Sequence, residues 1–246
     1  MPVTSQLPVT PQFDDYAAEM IRLGARRVHV LAWRDLDDID AGGSELHAHE
    51  FMRRFAAAGL NVTQRTSAAA GLSATDRRDG YDVVRRGSRY SVFPRAIASE
   101  LTGRMGRFDA LIEVWNGVPW LTPLWCRKPR IMFLHHVHGP MWDQILPKPL
   151  AAAGRLMETR LAPPLYRRTA TLTPSDATRD ELIALGFKPD RAQRCRPVLP
   201  SRRRAVAGAA DRRRGSSRAG EAVRRTVQGR AGGQDPRARP ATGHRR

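Results

Sequence analysis

Cysteine is nearly absent from this chain of 246 residues. Cys126 and Cys195 are too few and too separated for a disulfide framework or a zinc site, which suits a reducing cytoplasm. No apolar run approaches the length that spans a bilayer, and the opening MPVTSQLPVTPQFDDY has no basic segment leading into an apolar one. Neither a membrane span nor a secretory signal is therefore expected; the body reads as soluble, with peripheral contact at the inner face of a membrane left open. No internal repeat and no GxGxxG dinucleotide fingerprint occurs. The deepest deficit lies at the end. From Gln193 onward, 54 residues contain no Lys, Ile, Met, Phe, Tyr or Trp and a single Leu, against 16 Arg and three acids, Asp211, Glu221 and Asp235. Nothing there offsets the entropy of ordering, which predicts a disordered Arg-rich tail over 193–246. Its net charge of +13 leaves +5 of the chain's +18 to the preceding 192 residues. The basicity belongs to the tail, and function is sought upstream.

Upstream, apolar runs alternate with helical spacing. Arg27–Trp33 (RVHVLAW) is a short β-branched run that predicts a first strand. A polar loop, RDLDDIDAGG, leads into SELHAHEFMRRFAAAGL, where Ser44 suits an N-cap, Leu46, Met52, Phe55 and Ala56 recur at helical spacing, and Gly59 can end the helix. Asn61–Arg65 follows as a second strand, completing a right-handed βαβ unit. Further strands are predicted at Tyr81–Val84, Ala110–Val114, Arg130–Leu134 and Ala170–Thr173, with helices at Phe93–Leu101, Pro149–Arg168 (broken at Pro163-Pro164) and Asp176–Leu185. The expectation is an α/β fold: a doubly wound parallel sheet, Rossmann-like, over 27–192, preceded by an N-terminal extension over 1–26.

Three clusters carry chemistry. Gly42-Gly43-Ser44 lies between the first strand and helix, where the backbone approaches a ligand and free N–H groups meet an anion; an ordinary tight turn reads the same way. His135, His136 and His138 follow the fifth predicted strand, at the edge where open α/β sheets gather ligands. No acid or cysteine shares a metal-ligand spacing with them, so hydrogen bonding or proton handling is expected rather than metal binding, with a structural histidine as the alternative. Asn116, after the fourth predicted strand, either binds a substrate hydroxyl or starts the turn before Pro119. Trp115, Trp120, Trp125 and Trp142 flank these loops, as stacking faces for sugars or lipids or as covers for the core.

These segments together resemble a known family. AGGSELHAHEFMRRFAAAGLNVT is similar to the glycine loop and first helix of family 4 GT-B glycosyltransferases. IEVWNGVPWLTPLW and RKPRIMFLHHVH resemble the next strands of the same N-terminal domain, and ATLTPSDATRDELIALGFKPDR resembles the segment that ends it. The resemblance covers about Arg27 to Arg191. It implies a retaining transferase that moves a sugar from a nucleotide-sugar co-substrate to a glycan or lipid acceptor, with no metal and no other cofactor. His135 would match the active-site histidine and Gly42-Gly43 the diphosphate-facing loop; His136 and His138 have no firm counterpart.

The family continues into a donor domain whose first strand carries a pattern like GRLVPVKRFD, and this chain lacks it. Yet Gly215–Arg225 (GSSRAGEAVRR) can be written in codons that, read one base later, spell GRLVPVKRFD. The tail is thus expected to be an out-of-frame reading of a donor-domain region, and the chain alone to be inactive. Two alternatives stay open: an orphan module that binds a glycan, lipid or protein, and a nucleic-acid binder using the tail as a basic arm.

Overall fold

A computed structural model describes residues 13–195. Residues 196–246, which hold nearly all of the expected tail and the whole shifted-frame motif, lie outside the described residues, as do residues 1–12.

Eight strands form one sheet: β1 (Arg27–Leu31), β2 (Asn61–Thr66), β3 (Thr75–Arg78), β4 (Tyr81–Arg85), β5 (Ala110–Trp115), β6 (Arg130–Leu134), β7 (Ala170–Thr173) and β8 (Ala192–Arg194). Their order is β3-β4-β2-β1-β5-β6-β7-β8, parallel throughout except for the β3–β4 hairpin. The helices are α1 (Phe13–Arg22), α2 (Gly43–Ala57), α3 (Val92–Leu101), α4 (Thr122–Trp125), α5 (Trp142–Ile145), α6 (Lys148–Leu156), α7 (Ala162–Tyr166) and α8 (Asp176–Ala184). The α/β, doubly wound, Rossmann-like expectation is met.

Alternation along the strands builds a core on each face. Val28, Val30, Val62, Ile112, Val114 and Phe133 point to the face covered by α1 and α2, where Phe13, Phe51 and Phe55 meet them. Leu31 and Leu111 point the other way, to Val92 and Ala96 of α3, and Trp115, Met132 and Leu134 pack on Ala162, Tyr166 and Leu182.

Several sequence expectations change. Within the expected extension over 1–26, the described residues include α1, which buries Phe13 and Ala17 in the main core. The fold also runs past the expected boundary at 192. β8 pairs with β7 through Gln193 and Arg194, and Cys195 is fully buried with its N–H donating to Thr173 O at 2.9 Å. Ladder bonds at a sheet edge hold these residues despite their polar composition. At α2 the N-cap is Gly42 rather than Ser44, and Gly59 ends the helix with φ +96° as expected. Pro163-Pro164 does not break the long helical segment. A π-turn at Met157–Leu161 shifts the hydrogen-bond ladder, so Pro163 and Pro164 enter the first turn of α7, where a missing N–H costs little.

Candidate functional site

The chain reverses its winding at β1. It first runs outward through β2, β3 and β4, then returns to β5 on the other side and continues to β8. In such sheets ligands gather at the carboxyl ends of the strands flanking the reversal. A cleft of about 700 Å³ opens there, walled by the segments that follow β1, β5, β6 and β7 and by the first turn of α2. Gly42, Gly43, Ser44, Asn116, His135, His136 and His138 all line it.

The glycine loop is already partly occupied. Gly42 N–H donates to Glu45 Oε2 at 2.7 Å and Ser44 Oγ donates to the same oxygen at 2.9 Å. Arg34 Nε stands 3.5 Å from Glu45 Oε1. A carboxylate with its own arginine thus complements the helix N-terminus, and an incoming anion meets only the remaining first-turn N–H groups. Asn116 Nδ2 donates to Ser44 Oγ at 3.1 Å, which ties the loop after β5 to α2.

The three histidines do different things. His135 Nε2 lies 3.1 Å from Nδ1 of His47, which α2 presents one turn after Gly43. Burial, with His47 and His136 opposing further positive charge, pushes His135 down to about 3. Burial likewise pushes His47 down to about 4, with Glu50 partly opposing it. Both imidazoles are neutral near pH 7, sharing one proton across their hydrogen bond. Nδ1 of His135 and Nε2 of His47 are buried without a partner. His136 is also lowered, by burial and then by His138, and those two rings lie 4.5 Å apart. Among the described residues no set of three His, Cys, Asp or Glu side chains is arranged to hold a metal ion.

Glu158, in the π-turn, organises the loop after His136. Its carboxylate accepts from His138 N–H at 2.8 Å, Gly139 N–H at 2.9 Å and Trp142 Nε1 at 3.0 Å. Burial alone would raise its carboxyl, but the His138 ring, with Nδ1 3.5 Å from Oε1, and these three hydrogen bonds hold it below the ordinary range. Trp142 rests on Gly154, where an added Cβ would stand 2.8 Å from the indole. Though itself buried, it lines the cleft, whereas Trp115 and Trp120 lie away from it, hydrogen-bonded to Gly117 O and Val114 O. Trp125 Nε1 is hydrogen-bonded to Trp120 O. Those three cover the core.

Trp33, Arg34, Arg89, His47 and Glu158 went unrecognised as site residues in the sequence. Trp33 lines the cleft with the guanidinium carbons of Arg34 and Arg89 at 5.0 and 5.4 Å from its ring, and Arg89 pairs with Asp40. His47 carried a usable signal, since position i+4 from Gly43 shares its helix face. Glu158 had none, being twenty residues from His138.

Residues 41–195 match the family described as Glycosyltransferase Family 4. Among solved structures the chain is similar to Anabaena HepE in complex with UDP-glucose, at 14% identity over 70% of this chain and 43% of that one, with a TM-score of 0.47. It is also similar to a UDP-forming alpha,alpha-trehalose-phosphate synthase from Burkholderia vietnamiensis, at 11% identity over 64% and 42%, with a TM-score of 0.39. The chain therefore spans less than half the length of these structures. No curated protein matches it in sequence.

Proposed function

The chain belongs to Glycosyltransferase Family 4, and on that premise we propose that residues 13–195 are the acceptor-side half of a retaining GT-B enzyme. The reaction breaks the bond from the anomeric carbon of a nucleotide-sugar to its diphosphate and forms a glycosidic bond to an acceptor hydroxyl. No metal or further cofactor enters this reading.

The observation that carries it is the balance of charge in the cleft. Arg34 faces Glu45, Arg89 pairs with Asp40, and His135 is held neutral by burial. A lining of imidazole, amide and hydroxyl groups beside Trp142 suits the neutral hydroxyls of a sugar or an acceptor head. It does not by itself suit a diphosphate, whose departing charge needs cations aimed at it. Those cations come from a second domain in the family this chain resembles. His135 then serves as a neutral hydrogen-bonding imidazole at the reacting sugar, and Asn116 as a partner for an acceptor hydroxyl.

The chain as it stands should accordingly bind acceptors without turning over donors. The purified full chain is to be incubated with UDP- and GDP-sugars together with glycan and lipid acceptors. Turnover no faster than buffer is expected, together with acceptor binding that weakens in Asn116→Leu. Robust turnover by this chain alone would refute the reading.

A further inference from the structure

A second cavity, of about 520 Å³, runs alongside α3 and shares no residue with the cleft. Four arginines line it: Arg65 on β2, Arg86 just after β4, Arg95 on α3 and Arg104 just beyond α3. Ser99 and Thr102 follow Arg95 on the same helical face, and Thr63 and Thr75 add hydroxyls from the strands. Among the described residues no Asp or Glu lines this cavity.

Arg65 is the informative member. In β2, Val62 points to the core under α2, so Thr63 and Arg65 point to the opposite face, beside α3. Arg65 is fully buried, and its Nη1 donates to the carbonyls of Thr66 and Val84. Its Nε and Nη2 are buried and, among the described residues, have no hydrogen-bond partner. The same sheet shows what a compensated arginine requires. Arg85 on β4 is just as buried, and it faces the carboxylates of Asp35, Asp37 and Asp76. Among the described residues Arg65 has no carboxylate in contact. Burial, reinforced by Arg86 and Arg95 and partly opposed by Glu100, pushes its guanidinium down to about 10, so it remains charged at neutral pH. Among the described residues Arg86, Arg95 and Arg104 form no ion pair either.

Arg65, buried with no carboxylate in contact among the described residues, raises the free energy of the empty protein, and the exposed Arg86, Arg95 and Arg104 ring the same recess. A dianion returns that cost, and guanidinium forks match tetrahedral phosphate oxygens in pairs. We propose that this groove is a phosphate-binding site, separate from the cleft, with buried Arg65 as its floor and Arg86, Arg95 and Arg104 closing on the anion from the rim. Thr63 adds a hydroxyl from β2, whereas the Ser99 and Thr102 hydroxyls donate to Arg95 O and Ala98 O within the helix. The volume admits a phosphate with a small substituent, so the phosphate belongs either to a soluble phosphoester or to a lipid headgroup.

Hydrogen exchange on the full chain, at about 0.15 M salt, locates binding despite the cationic residues elsewhere. The probes are sodium pyrophosphate, phosphatidylglycerol–phosphatidylcholine vesicles, and phosphatidylcholine vesicles alone. Pyrophosphate is expected to slow exchange across 92–105, with an affinity about tenfold weaker in the Arg95→Gln/Arg104→Gln double variant. Protection by phosphatidylglycerol vesicles only, lost in the same variant, assigns the phosphate to a lipid. Protection by neither anionic probe, or protection that the double substitution leaves unchanged, overturns the proposal. Arg65→Met supplies the second reading. It should raise the urea midpoint of the ligand-free chain and abolish any pyrophosphate-induced shift; a lower midpoint would mean that Arg65 is structurally satisfied, and the proposal would fall with it.

Discussion

Replacing Glu158 by Gln tests whether one buried carboxylate holds the histidine loop. Three donors converge on it: His138 N–H on Oε1, and Gly139 N–H and Trp142 Nε1 on Oε2. A glutamine oxygen placed at Oε2 keeps two acceptances and loses their charge assistance. Its NH₂ then faces His138 N–H across 2.8 Å, donor against donor. A hydrogen bond to a charged group contributes about 1.5–3 kcal/mol, so one lost and two weakened predict a deficit of about 2–4 kcal/mol. With a urea dependence of about 2 kcal/mol per molar, the midpoint should fall by about 1–2 M, followed by tryptophan fluorescence. The pH dependence gives a second check. Because the folded carboxyl is held below its ordinary value, its contribution is present above the unfolded pKa and is lost as pH falls through the folded one. The deficit of Glu158→Gln should therefore shrink on acidification below about pH 4.5. A midpoint unchanged at pH 7.5, or a deficit that grows in acid, would show that Glu158 does not hold this loop.

Two further titrations have opposite signs. His135 and His47, pushed down to about 3 and about 4, stay neutral in the fold while the unfolded chain takes protons near pH 6.5. Stability should fall below that pH by up to about 1.4 kcal/mol per unit and per group, and His47→Asn/His135→Asn should flatten the slope; ring NMR signals of either residue titrating near pH 6.5 would contradict this. Glu113, fully buried on β5 and bonded to Tyr166 Oη at 3.1 Å, is pushed up to about 8 by burial. The fold should lose stability as pH rises from about 4.5 through 8, and Glu113→Gln should remove that loss; urea midpoints of the parent that are flat from pH 6 to 9 would count against it.

What the sequence revealed of the fold follows how each element is stabilised. RVHVL, ALIEVW and RIMFL lie inside a parallel sheet covered on both faces, so they read as mainly apolar runs, broken within only by the buried His29 and Glu113. TDRR has no apolar residue, because β3 is an antiparallel edge strand held by its ladder to β4. Its legible signal was the turn, Asp79-Gly80, with φ +41° and +90° between two extended segments. β8 escaped detection for the same reason as β3, being three residues whose place depends on β7. α1 escaped because Phe13 and Ala17 become a core face only when Phe51 and Phe133 are already in place beneath them.

The glycine loop shows how far local pattern reaches into the site. Read by itself, Gly42-Gly43-Ser44 before a helix offers backbone donors to an anion. One residue further, Glu45 makes the same stretch a capping signature, since a carboxylate at the third helical position reaches back to the N-cap N–H. Both readings are local, and only the fold decides between them. Arg34 comes in from the segment after β1 to hold Glu45, and Asn116 from the segment after β5 to hold Ser44. A diphosphate approaching α2 therefore meets a charge-balanced pair before it meets bare N–H groups. It must either displace Glu45 from Gly42 or arrive with cations of its own, and in the first case Arg34, freed from Glu45, is left facing it from the wall of the cleft.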